Sequence, residues 1–210
     1  MSVPWQSAGE SRGLLLVHGE PRRVSSWVRG GLVACDVVER GPWTVLLPAE
    51  PFSRAAPPYD DALGVLVSRP VPRRLRPALG FLVVDDRALV TVQPGGWAVR
   101  RRWVAWEPGT GVVRVPGWDL ASPRALATAA AGAGAPGLAA AVAAVLADRT
   151  GDAQWMMDRL LGALRLPGAG LLSHGEEILG TVVRPSARAV ARFDARMTDQ
   201  ARHRAELEEG

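Results

Sequence analysis

The stretch "GFLVVDDRALVTVQP" at 80–94 decides the fold. Two short apolar runs, Phe81 to Val84 and Ala88 to Val92, stand on either side of Asp85, Asp86 and Arg87. Runs of this length read as strands. So short a connection permits only a hairpin, because parallel neighbours need a crossover of a dozen or more residues. Asp tolerates left-handed backbone and bonds its own main chain, which suits it to such a turn. An antiparallel sheet is therefore expected around this segment.

Downstream, "WAVRRRWVAW" at 97–106 and "GVVRV" at 111–115, joined through "EPGTG", predict a second hairpin with glycines where the turn needs positive φ. Upstream, "ALGVLVS" at 62–68 follows the proline-rich loop "PFSRAAPPYDD" and reads as a further apolar run of the sheet. Earlier still, "GLLLVHG" at 13–19 is the pattern of a buried strand and its exit turn. Pro21 then opens a helix in which Val24, Trp27, Val28, Gly31, Cys35 and Val38 recur at steps of three and four up to Gly41. With "WTVLLPA" following as a strand, residues 14–48 predict one strand-helix-strand unit.

Composition shifts after residue 120. Ser122 and Pro123 form an N-cap and first-turn pair, "GAGAPG" interrupts, and "LAAAVAAVLADRTG" and "DAQWMMDRLLGAL" predict two more helices. The end, "SARAVARFDARMTDQARHRAELEEG", is a helix with a thin stripe of Val190, Phe193 and Met197 that fades through Ala201 and Ala205. Glu206, Glu208 and Glu209 sit at the wrong end for its macrodipole. The expected class is α+β: a mostly antiparallel sheet with an early strand-helix-strand unit, an alanine-rich helical section and a C-terminal helix. The expected divisions are a flexible N-terminal segment (1–12), an α+β sheet domain (13–120), a helical section packed on it (121–185) and a C-terminal helix or arm (186–210).

At 210 residues, 48% of them hydrophobic, the chain is long enough to bury a sizeable core. All 25 Lys+Arg side chains are arginine, asparagine is absent and Ile178 is the only isoleucine, the residue usage of a GC-rich bacterial genome. With no lysine, the pI near 10.7 overstates a net charge of only +4. Cys35 is alone, which excludes a disulfide framework or a cysteine zinc site. The start "MSVPWQSAGESRG" lacks the pattern of a secretory leader, and no apolar run reaches the roughly 20 residues of a membrane span. A cytoplasmic protein is the expectation.

Three sets of residues could carry function. The tripeptide His-Gly-Glu occurs twice, so His18 with Glu20 and His174 with Glu176 could each supply two ligands from one side of an extended segment to a metal. The same glycines also serve as exit turns after apolar runs, the simpler reading. Arg69, Arg73, Arg74 and Arg76, with Arg100, Arg102 and Trp106, could form a polyanion or nucleic-acid surface in which tryptophan stacks beside arginine. Trp5, in a polar segment, and the stripe Val190, Phe193, Met197 could meet a protein partner. Cys35, on an apolar stripe, reads as a buried inert thiol.

No phosphate-binding glycine loop of the Walker kind, dinucleotide fingerprint, Gly-x-Ser-x-Gly elbow or His-Glu-x-x-His helix is present, so the reading leans away from catalysis and calls for no cofactor. It favours a cytoplasmic interaction or assembly protein that binds a protein partner, or itself, through its C-terminal helix. Nucleic-acid or polyanion binding is the alternative, and a metal-dependent enzyme the further one.

Overall fold

The structure, a computed structural model, describes residues 11–96, 100–132, 136–171 and 180–208. The 80–94 hairpin is as expected: β4 (Ala78–Val84) and β5 (Arg87–Gln93) pair antiparallel, Val84 opposite Arg87. Asp85 and Asp86 form the two-residue turn at φ +48° and +58°, the left-handed pair that such a loop demands. The Asp86 carboxylate also accepts a hydrogen bond from the backbone N–H of Ala153 at 3.2 Å, tying the turn to a helix start far along the chain.

Among the described residues, six further strands extend the sheet. β1 (Arg12–His18), β2 (Cys35–Arg40), β3 (Trp43–Pro48), β6 (Arg102–Glu107), β7 (Gly111–Val113) and β8 (Thr181–Val183) join the hairpin in the order β7-β6-β5-β4-β1-β3-β2-β8. Every neighbouring pair is antiparallel. Among the described residues, each edge is a three-residue strand, too short to template pairing with another chain.

Helices cover both faces. On one side lie α3 (Pro123–Ala131), α4 (Pro136–Ala147) and α5 (Ala153–Ala163), whose Leu126, Val142, Met156 and Leu160 share a core with Leu14, Leu16, Phe81, Val90 and Trp106. On the other lie α1 (Pro21–Arg29) and α2 (Ala62–Ser68), with Val24, Trp27, Val28 and Leu66 packed on Leu15, Val17 and Leu46. Successive strand residues point to opposite faces, so a strand buried on both sides needs apolar residues throughout. That requirement explains the unbroken "LLLV" of β1. Ser122 and Asp152 cap α3 and α5 by accepting from the backbone N–H of Ala125 (3.2 Å) and Trp155 (2.7 Å).

Three elements differ from the sequence reading. The helix expected over 21–41 stops at Arg29, where Gly30 and Gly31 donate back to the carbonyls of Trp27 and Val28. Residues 35–40 are strand β2 instead, so the unit is strand-helix-strand-strand. Cys35 and Val38 continue the helical spacing by coincidence: Cys35 belongs to the core under α1 and Val38 to the core under α3–α5. The run 62–68 is helix α2, not a sheet strand, because Asp61 accepts from the backbone N–H groups of Leu63 and Gly64, both at 3.1 Å, and starts a helical turn. α2 lies close on the sheet at Gly80, where an added Cβ would come within 2.7 Å of Thr91 Oγ1 and 3.2 Å of Val67.

β8 lies within the section expected to be helical and closes the sheet against β2, Cys35 opposite Val183. After it, α6 (Ala187–Glu208) runs for 22 residues, as the C-terminal pattern predicts. Among the described residues, no helix is long and apolar enough to cross a membrane.

Candidate functional site at the root of the C-terminal helix

The strand-turn-helix passage from β8 to α6 is fixed by Ser186. Its backbone N–H donates to the carbonyl of Arg29, the last residue of α1, at 2.9 Å, and its hydroxyl accepts from the N–H of Ala189 at 3.2 Å. These bonds set where α6 leaves the body. Ala189 is then buried, and Val190, Phe193 and Met197 are each half-buried, so the stripe read from the sequence turns toward the body along the first three turns. Phe193 meets Tyr59 edge to face, ring centres 5.3 Å apart at 83°. Trp5 lies outside the described residues.

Between this part of α6 and the α1–α2 layer is a cleft of about 370 Å³, lined among others by Tyr59, Asp61, Ser68, Arg69, Phe193 and Arg196. Arg69 lies with its guanidinium carbon 4.3 Å from the centre of the Trp27 ring. Trp27 in turn donates its indole N–H to the carbonyl of Pro70 at 3.3 Å. The guanidinium also runs beside Gly30 and Gly31, and a Cβ at Gly31 would collide with it. Burial lowers the Arg69 pKa to about 10. Asp61 also lines the cleft, but its carboxylate is turned to the first turn of α2; burial raises its pKa against the pull of those two N–H bonds.

The arginines grouped by sequence separate in space. Arg69 is in the cleft. Arg76 donates Nε to the carbonyl of Val71 at 2.7 Å, while Arg73, Arg74, Arg100 and Arg102 are exposed. Arg101, between the last two, is partly buried and donates to the carbonyl of Ser68 at the end of α2. Trp106 is fully buried and donates its indole N–H to the carbonyl of Asp148 at 3.1 Å, so its ring is packed under the helices and offers no face for a base to stack on.

Of the two His-Gly-Glu segments, only the first is within the described residues; His174 and Glu176 lie outside them. His18 ends β1 with its ring edge-on to Trp43 at 5.6 Å, and Glu20 pairs with Arg23 at 3.5 Å. Among the described residues, no three His, Cys, Asp or Glu side chains converge as a metal site would need. Cys35 is fully buried, its pKa pushed up to about 12 by that burial, and is an inert thiol.

Sequence pattern singles out Phe193 but neither Tyr59 nor Arg196. Tyr59 is the chain's one tyrosine, set between two prolines and two aspartates, and that isolation was its only signal. The chain matches no family model, no curated protein and no solved structure, so the geometry at the root of α6 carries the functional reading alone.

Proposed function

We propose that this chain is a non-catalytic interaction or assembly protein whose working part is α6, presented to a partner helix of matching charge order, a second copy of α6 being the first candidate. The observation that carries this reading is the exposure of the helix's distal half: every residue from Thr198 to Leu207 is exposed, Leu207 at 70%. Helix α6 is 22 residues and about 33 Å long. The exposed stretch 198–207 is shorter than the roughly 12–15 residues below which a helix without packing is marginal in water, and Glu206 and Glu208 at the C-terminus oppose the macrodipole. Burial against another chain removes both difficulties.

Charge order favours a second copy. The first half of α6 holds Arg188, Arg192 and Arg196 against Asp194, and the second half holds Asp199, Glu206 and Glu208 against Arg202 and Arg204. Two such helices run antiparallel bring the basic half of each beside the acidic half of the other. Each acidic end then also faces a helix N-terminus. This is the self-complementary arrangement that a two-fold axis requires.

Sedimentation equilibrium of the full chain tests the proposal. The expected result is a dimer at micromolar concentration, lost when residues 198–210 are deleted while circular dichroism shows the body still folded. Reversing Glu206 and Glu208 to arginine should weaken pairing, and mixing that variant with one carrying Arg188→Glu and Arg192→Glu should restore it. A chain that stays monomeric, with amides 198–207 exchanging at unfolded rates, would end the self-pairing reading.

A further inference from the structure

We infer that the cleft between α2 and the root of α6 is a binding site for an organic carboxylate carried on an apolar or aromatic body, with Arg69 as the principal anion contact and Arg196 as a second. The inference rests on the cleft and its guanidiniums, and does not depend on self-pairing of α6.

Arg69 brings five N–H donors into a partly buried position. Among the described residues, no carboxylate pairs with it, and its guanidinium lies over the Trp27 ring. The end of α1 beside it is the negative end of a helix dipole and offsets part of the charge. The nearby carbonyls of Trp27 and Val28, however, already accept from the N–H groups of Gly30 and Gly31. A buried guanidinium is normally matched by an anion, and the two-pronged fork of arginine fits a carboxylate with two parallel bonds. The acid in the cleft wall, Asp61, is engaged with the N–H groups of Leu63 and Gly64. An anion to pair with Arg69 would therefore come from outside the described residues.

The other walls define the rest of the ligand. Leu32, Val65, Pro70, Tyr59 and Phe193 are apolar or aromatic and border the same space, whose volume of about 370 Å³ suits a small ligand. Phosphate fits less well. Phosphate sites draw on several free backbone N–H groups, commonly from a glycine-rich turn at a helix start. The glycines here stand at a helix end, with their N–H groups bonded to Trp27 and Val28.

Isothermal titration calorimetry of the full chain with hydrocinnamate, its neutral amide and inorganic phosphate tests the inference. Hydrocinnamate should bind with one-to-one stoichiometry, and the amide about 10-fold more weakly or worse, the loss expected when one charge-assisted contact goes. Arg69→Met should weaken hydrocinnamate about 10-fold or more, and Arg196→Gln about 3-fold. If circular dichroism shows Arg69→Met unfolded, Arg196→Gln and the acid-to-amide ratio carry the test. An acetylated dipeptide ending in phenylalanine that binds more tightly than hydrocinnamate would support the inference and identify a peptide C-terminus as the source of the carboxylate. Equal affinity for acid and amide, tighter binding of phosphate, or no saturable binding at about 10 mM hydrocinnamate would overturn it.

Discussion

Helices α3–α5 and helix α6 are both rich in alanine, though α6 carries five arginines where the other three together carry two, and they stand in opposite relations to the fold. The first group places Leu126, Val142, Met156, Met157, Leu160 and Leu161 at 1% exposure or less against the sheet. In α6, Ala189 alone is buried among the described residues. Alanine content is thus common to both and decides neither. What separates them is whether the stripe meets a sheet face, since most helix stability in proteins comes from packing an apolar face.

Three measurements would break or sharpen that contrast. Leu160→Ala, in the layer that shares the sheet's core, should cost about 2–5 kcal/mol in chemical denaturation through lost burial and the cavity left behind. A loss below about 1 kcal/mol would mean that α5 is not integral to the body. Phe193→Ala, at the aromatic contact of α6 with Tyr59, should cost only about 1 kcal/mol. It should also raise hydrogen exchange along 189–197 while leaving α5 protected. Global loss of protection would make α6 part of the core and erase the difference.

The smallest effect is electrostatic. Asp148, after α4, is a surface carboxylate whose pKa is lowered to about 2 by hydrogen bonds from the Thr150 hydroxyl and backbone N–H and by its bond to Arg159. A carboxylate depressed on folding stabilises above its ordinary pKa near 3.8, and that contribution is lost as pH falls toward about 2. Thermal melts between pH 4 and 2 should therefore fall slightly more steeply for the native chain than for Asp148→Ala. Parallel curves would show that the bonds around Asp148 contribute nothing at this surface.

Much of the fold was legible in the sequence because its signals are local. Asp85 and Asp86 mark a turn between two runs, and Ser122 and Asp152 mark helix starts, each through contacts within a few residues. Errors arose where local signals were silent or misleading. The run 62–68 is too short for its periodicity to separate helix from strand, and the deciding contact is the Asp61 cap. The spacing from Val24 to Val38 ran through Gly30-Gly31 because both a half-buried helix and a strand buried on two faces supply frequent apolar residues. β8 is three residues long and is stabilised by a partner strand nearly 150 positions earlier. At the site, Phe193 was visible as part of a stripe. Its contact with Tyr59 and the burial of Arg69 against Trp27 join distant parts of the chain, which no spacing rule reaches.

The pairing of β8 with β2 has a consequence for the order in which the molecule is made. β2 is complete at Arg40, but the strand that covers its outer side ends at Val183. At about 5–20 residues per second of synthesis, that side of the growing sheet stays open for roughly 7–30 s. During that interval the run Cys35 to Val38 offers unpaired backbone to any neighbouring nascent chain, with Asp36 inside it and Glu39 and Arg40 after it as the charges that oppose such pairing. The protein is thus most exposed to misassembly while it is still being translated, and three late residues, Thr181 to Val183, end that exposure.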